Sequence, residues 1–540
     1  MAKINKAIIF LLVILAIAAF FRLWQLDSIP PGLYPDVAIN GNEAISSPGK
    51  IFYPENNGRE GLFINLIALS FSIFGVTIWS LKIVPAIIGI LTVFGLYLLT
   101  KELFLKSSEK GSRYIALLSS FFLAVSFWHT NFSRIGFRAI LLPFILVFAF
   151  YFLFRGFREK KLQPTHRPPS LQLGPVSYLV ISGLFFGLGF YTYISYRFII
   201  LLLPLVLITF WFAYKRQNLQ KQFILHTSYL LLLIFIVALP IAIYFLQNPQ
   251  DFVGRATPIS IFATENPIKE FGKSLILHLG MFNFYGDPNW RHNFAGSPML
   301  LWPIGILFLI GLFYSLRSIV LQSKRLNETV IFLFLVLWLL IMLLPGILTY
   351  EGIPHALRTI GVIPVVYIFA GLGGWEIYQW FNKNVKDKKL LIATSIIFLL
   401  MVGFLQFDKY FIKWAVRPET EDAFSKDYVQ IGNYLNSLPP ETPKYVIVNM
   451  SGVPVPYPDG IPMPAQTVMF IENIKYGQPR AIYLLPENLD QIEINTKTFI
   501  IVPMRYDQSL FNEFSEKFPQ GKSEKENDVW FYKVNPVRNF

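Results

Sequence analysis

The chain is built from apolar runs of about 20 residues set apart by short, basic segments, and this pattern limits the fold more than any motif does. A helix of that length crosses a hydrocarbon core about 30 Å thick. With 54% hydrophobic, 17% aromatic and only 15% charged residues among 540, the sequence has the composition of a polytopic α-helical membrane protein. Runs begin with the N-terminal segment and continue near 79–99, 114–131, 139–154, 176–194, 198–214, 223–246, 299–316, 329–348, 358–380 and 390–407, about eleven transmembrane helices in all. The start, MAKINKAIIFLLVILAIAAFF, resembles a signal peptide but lacks a small-x-small cleavage site before Arg22 and Trp24, so a retained first span is expected.

Charge sets the expected orientation. Lys3 and Lys6 precede the first span, which puts its start in the cytoplasm and the following loop outside. The next apolar stretch, Leu62–Phe74, would reach only about 20 Å as a helix and reads as interfacial. The segment with Lys101, Lys106, Lys110 and Arg113 then falls inside, as do FREKKLQPTHR, KRQNLQKQ, RSIVLQSKR and NKNVKDKK. All are basic, as the positive-inside rule requires. The net charge of +14 is therefore an orientation signal, and nucleic acid is not an expected partner.

Two domains are expected: 1–407 in the membrane, with outer loops 25–78 and 247–298, and an extracytoplasmic α/β domain over 408–540. In the latter, YVIVNM, TVMFI, AIYLL, FIIVP and VWFYKV read as strands, and Asp422–Leu438 has helical spacing. No motif there names a reaction. A stabilising or acceptor-docking role is the expectation.

Chemistry concentrates at the outer ends of the spans. The first outer loop, QLDSIPPGLYPDVAINGNEAISSPGKIFYPENNGREG, carries Asp36, Glu43, Arg59 and Glu60. A carboxylate beside a bilayer is costly to desolvate and marks a functional candidate. Asp36 is the preferred catalytic base, taking the proton of a hydroxyl as its oxygen attacks an anomeric carbon. Glu43 falls on the same face if the segment is helical, and Glu60 alternatively pairs with a nearby Arg and organises the loop.

Outer cations run against the positive-inside bias. Arg134 and Arg138 in NFSRIGFR have i, i+4 spacing, which on a helix would share a face. Arg197 follows YTYISY, Arg291 and His292 lie in GDPNWRHNF, and His355 and Arg358 lie in EGIPHALR. Such a group suits an anionic headgroup, phosphate above all, which Arg grips with a forked pair of donors. Snorkelling to ordinary lipid headgroups is the alternative.

With no Cys and six His, thiolate sites and disulfides are excluded and HExxH is missing. Asp36, Glu43 and Asp287 are possible oxygen ligands for Mg²⁺, yet no spacing identifies a metal site, and the metal is left unassigned. There is no phosphate-binding loop, dinucleotide fingerprint or GxSxG element. The glycines of GLFFGLGF read as helix-packing positions.

The outer acid loop, GREGLFINLIALSFSIFGVTIWSLKIVPAIIG and NFSRIGFRAILLPF together resemble integral-membrane GT-C glycosyltransferases. They are most similar to the family 39 protein mannosyltransferase-like and aminoarabinose transferase-like bacterial group. GDPNWRHNFAGSPML and PHALRTIGVIPVVYIFAG fit bacterial members, and the resemblance covers about residues 5–410. It implies a sugar donor carried on polyprenyl phosphate and used at the outer face of the cell membrane, with an unidentified hydroxyl acceptor. The family's acid in the first outer loop corresponds to Asp36. Relatives often have Asp-Glu there, whereas Val37 follows here. The cations of NFSRIGFR and PHALR would then serve the lipid phosphate. A transporter or flippase of a lipid-linked glycan is the alternative, predicting polar residues and broken helices at mid-membrane.

Overall fold

A computed structural model of the chain describes residues 6–105, 108–158, 174–254, 257–321, 326–455, 460–493 and 497–535. Lys3, Lys106 and most of FREKKLQPTHR and SKR lie outside them. Two compact units emerge: Met1–Trp24, Pro85–Arg134 and Arg138–Trp414 form the first, and Gln25–Val84, Ile135–Phe137 and Ala415–Phe540 form the second. The segment Gln25–Val84 therefore groups with the C-terminal segment.

Among the described residues, nine helices are long and apolar enough to cross a bilayer: Lys6–Leu23, Ile78–Phe104, Arg138–Arg158, Ile194–Lys215, Gln220–Gln247, Trp302–Val320, Thr329–Ile347, Ile360–Asn384 and Lys388–Trp414. The chain is a multi-pass membrane protein. Two further expected spans are shorter helices, Glu109–Val125 of 17 residues and Pro175–Gly189 of 15. The glycines of the latter do pack helices: a Cβ on Gly183 would come within 2.7 Å of the Leu230 carbonyl oxygen, and one on Gly187 within 2.6 Å of Val237.

The stretch 114–131 is not one continuous helix. It stops at Ser126, whose extended backbone (φ −58°, ψ 126°) opens a new helix, Phe127–Phe132, with its hydroxyl accepting from the His129 amide at 3.2 Å. Nor do Arg134 and Arg138 share a helix face. The helix ends at Phe132, Gly136 takes φ +80°, and Arg138 opens a separate 3₁₀ turn. A side chain at Gly136 would meet Val37 at 2.6 Å, so the turn requires glycine both for its backbone and for its neighbour.

In the second unit, Pro35 sits at the start of a helix, Pro35–Ser46, where its missing N–H costs nothing. A two-residue antiparallel pairing, Phe52–Tyr53 with Arg59–Glu60, follows, and then the 13-residue helix Leu62–Phe74. The C-terminal part holds a five-stranded sheet in the order Ile482–Leu484, Lys444–Ile447, Phe499–Pro503, Val529–Val534, Gly521–Glu526. The first three strands are parallel and the last two antiparallel. Lys426–Ser437 and Ala465–Tyr476 contribute to a core with Val446, Val502 and Phe531, while Gln508–Lys517 contributes Leu510 and Phe514 to a second core with Ile447, Ile501 and Tyr532. Alternation along the strands divides them between the two faces.

Two local expectations change here. TVMFI is not a strand but the middle of helix Ala465–Tyr476, which ends at Gly477 with φ 71°. A five-residue apolar run carries no period that separates a buried strand from a buried helix. Asp422–Leu438 is split by Ser425, at φ 53°, into Pro418–Ala423 and Lys426–Ser437.

Candidate functional site

Asp36 lies in the first turn of helix Pro35–Ser46, half-buried, where the helix dipole favours a carboxylate. Asn56 from the adjoining turn donates to its Oδ1 at 3.0 Å. Asn40 and Glu43 follow on the same face. The buried Arg59 guanidinium runs along that face, donating to Asn40 Oδ1 at 2.8 Å and pairing with Glu43 Oε2 at 2.6 Å, while its Nε reaches the Glu55 carbonyl at 3.2 Å. Burial pushes the Glu43 carboxyl above its ordinary range, and Arg59 pulls it partly back. Glu43 is thus engaged in holding Arg59. Glu60 is buried in the strand pairing opposite Phe52. Val37, 1% exposed, packs against Gly136, so an acid at that position would be buried in an apolar contact.

The first unit holds a second constellation. Asp287 Oδ1 accepts the Asn289 amide at 2.8 Å, an Asx-type turn that fixes the carboxylate. Its Oδ2 meets His292 Nδ1 at 2.9 Å and the Ala356 amide at 2.7 Å, with His355 Nδ1 at 3.9 Å. The two imidazole rings are 4.9 Å apart. His278 Nδ1 donates to the Ser274 carbonyl at 2.8 Å, leaving Nε2 to accept the His355 amide at 3.1 Å. Burial pushes His278 down to about 4 and His355 well below the usual imidazole range, with His292 and Arg358 adding to the latter. Both are therefore neutral near pH 7. Ligand atoms of Asp287, His292 and His355 all lie within 4.8 Å of one another. Of the three acids expected as oxygen ligands, only Asp287 is in this group among the described residues.

Beside it opens a cavity of about 580 Å³ lined by Arg197, His355 and Arg358 together with Phe198, Phe252 and Leu348, among others. Arg358 Nη1 donates to Thr349 Oγ1 at 2.9 Å and to the Glu351 carbonyl at 2.6 Å. Arg197 donates to the Phe252 carbonyl and stacks 4.1 Å from that ring. Arg138 lies 5.5 Å over Tyr193, itself a lining residue. The chamber has the size and the mostly apolar walls of a small-molecule site, with cations to fix an anion.

Arg134, expected at the donor phosphate, and Arg291, expected in the substrate loop, are placed differently. Arg134 is fully buried, its guanidinium donating to the carbonyls of Phe21 at 3.1 Å and Trp24 at 2.8 Å and lying 5.3 Å over Phe411. It ties down the end of the first span. Arg291 bonds Asn289 Oδ1 through Nε at 3.3 Å and through its carbonyl accepts from Asn131 at 2.7 Å. Sequence reasoning passed over His278, Asn40 and Asn56. The first is an isolated His in KSLILHLG, and the asparagines carry no periodic signal.

The family profile described as dolichyl-phosphate-mannose-protein mannosyltransferase matches residues 62–244. No curated protein sequence matches the chain. Among solved structures, ArnT from Cupriavidus metallidurans in the apo state superposes with a TM-score of 0.58 at 12% identity, covering 98% of each chain. The same protein bound to undecaprenyl phosphate gives 0.56 at 12% identity over 99% of each. The Archaeoglobus fulgidus oligosaccharyltransferase tethered with an acceptor peptide gives 0.51 at 15% identity, over 95% of this chain and 68% of that one. The fold is shared with these two proteins.

Proposed function

We propose that this protein transfers a sugar from a polyprenyl-phosphate-linked donor to an acceptor hydroxyl at the outer face of the cell membrane. The observation that carries this reading is the cavity of about 580 Å³ in which Arg197, from one segment, and His355 and Arg358, from another, line largely apolar walls. A phosphate with a hydrocarbon tail matches that mixture. The GT-C fold and the family profile over residues 62–244 support the same chemistry.

Asp36 acts as general base. The acceptor oxygen attacks the anomeric carbon and its proton passes to the Asp36 carboxylate, while the bond from that carbon to the phosphate oxygen breaks. A single displacement inverts the anomeric centre. The lipid phosphate leaves with the bonding electrons, and Arg197 and Arg358 stabilise its charge, with Arg138 behind Tyr193. Glu43 and Arg59 hold the loop in shape, and Arg291 and His292 shape the neighbouring segment. Asp287, His292 and His355 offer one carboxylate and two imidazoles, a donor set that suits a divalent ion such as Zn²⁺ or Mn²⁺. Such an ion, when bound, would offset phosphate charge. Positive-inside bias supports a cytoplasmic N-terminus and an extracytoplasmic C-terminal domain.

The test is label transfer from undecaprenyl-phosphate-linked mannose, glucose and aminoarabinose into a membrane extract by purified protein. The reading expects transfer from at least one donor, competed by free undecaprenyl phosphate. No transfer from any of them, with the protein folded, would reject it.

A further inference from the structure

The helix bearing Asp36 uses a second face to grip the C-terminal part of its own unit. Asn42 points about a third of a turn away from Asp36. Its Nδ2 donates to Gln466 Oε1 at 2.8 Å and to the Gln466 carbonyl at 3.0 Å, and its Oδ1 accepts from Asn473 Nδ2 at 2.8 Å. Gln466 and Asn473 both come from helix Ala465–Tyr476 and are buried. Just ahead of the Asp36 helix, Thr467 Oγ1 donates to the Leu33 carbonyl at 2.9 Å. Ile39 clusters with Val455 and Met463. Gly41 leaves room for Phe470, whose ring a Cβ would approach to 2.4 Å.

A 12-residue helix following SIPPGLY has little intrinsic stability, so its orientation must come from packing. Apolar contacts alone tolerate sliding and rotation. Hydrogen bonds to both ends of the half-buried Asn42 amide do not, because their geometry is directional. General-base catalysis needs this kind of control, since a displacement of about 1 Å is worth about a hundredfold in rate.

We propose that the C-terminal domain is a positioning element for catalysis, its Gln466 and Asn473 clamping Asn42 to set the orientation of the helix that carries Asp36. This rests on the transferase reading above. Asn42, Gln466 and Asn473 are positioning residues, and none needs to touch substrate. The domain thereby has a part in turnover beyond acceptor docking or general stability.

The experiment compares wild type, Asn473→Ala and Asn473→Gln as full chains in detergent, by hydrogen exchange and by transfer kinetics with whichever of the three undecaprenyl-phosphate-linked sugars the wild type uses. Asn473→Ala should raise exchange in residues 36–46 about tenfold and leave the strand Phe499–Pro503 unchanged. It should lower kcat about tenfold with donor KM within about twofold, and Asn473→Gln, which keeps the donor amide, should recover most of both. Unchanged exchange in 36–46 would overturn the clamp. Faster exchange with unchanged kcat would overturn its catalytic role. Exchange that responds in a protein inactive with every donor would reject the transferase reading and the catalytic role together, leaving a contact that serves only the fold.

Discussion

Arg134, Arg197 and Arg358 look equivalent in the sequence, as outer arginines next to aromatic turns, yet their surroundings separate them. Arg134 is fully buried with its donors on the Phe21 and Trp24 carbonyls, whereas Arg197 and Arg358, which also donate to nearby backbone carbonyls, line the cavity. Arg358→Ala and Arg197→Ala should each weaken binding of undecaprenyl phosphate about 10- to 100-fold with little change in Tm, the worth of a charge-assisted hydrogen bond. Arg134→Ala should instead lower Tm, by leaving buried carbonyls unpaired, and leave lipid affinity in the surviving fold unchanged. Binding titrations and thermal scans on the same preparations separate the two classes. The Asp287, His292 and His355 group makes a second prediction. Wild type should retain Zn²⁺ or Mn²⁺ in equilibrium dialysis, and Asp287→Ala or His292→Ala should lose it. Retention by both variants would remove the metal assignment. The residue types were legible in the sequence as a set of candidates. Their partners were not, because a carbonyl over 100 residues away leaves no mark on local pattern.

At the scale of elements, periodicity served well where one face or a full span is buried, and failed at breaks. Among the described residues, nine helices long enough to span and the short Leu62–Phe74 helix emerge from hydropathy. The stops at Ser126 and after Phe132 do not, since no Gly or Pro marks the first and only Gly136 hints at a turn beyond the second. TVMFI shows the same limit in the C-terminal part, and the exposed, charged strand Gly521–Glu526 has no apolar alternation to reveal it. The strand pairing at Arg59 and the helix at Asp36 are joined by the pair Arg59–Glu43, with 1% and 13% of the side chains exposed. Glu43→Ala strands a buried guanidinium and should cost about 3 kcal/mol or more. Limited proteolysis of purified protein should then cut within residues 47–58 faster than in wild type. Equal cutting rates would show that the pair does not hold the loop.

For the whole molecule, loop charge supplies an expected sidedness. Membrane class was available from composition, because it follows from transfer energetics summed over many residues. The grouping of the first outer loop with the C-terminal segment was not, since it depends on contacts such as Asn42 with Gln466 between distant parts of the chain. A compartment-sensitive reporter fused after Phe540 should read as extracytoplasmic, and a cytoplasmic signal would overturn the sidedness. The most direct measurement is transfer from undecaprenyl-phosphate-linked sugars by wild type and Asp36→Asn at matched amounts of folded protein. Loss of about a hundredfold or more in kcat, with undecaprenyl phosphate still bound at wild-type affinity, is the expected result for removal of the general base. Equal turnover by both would contradict the assignment of the base to Asp36.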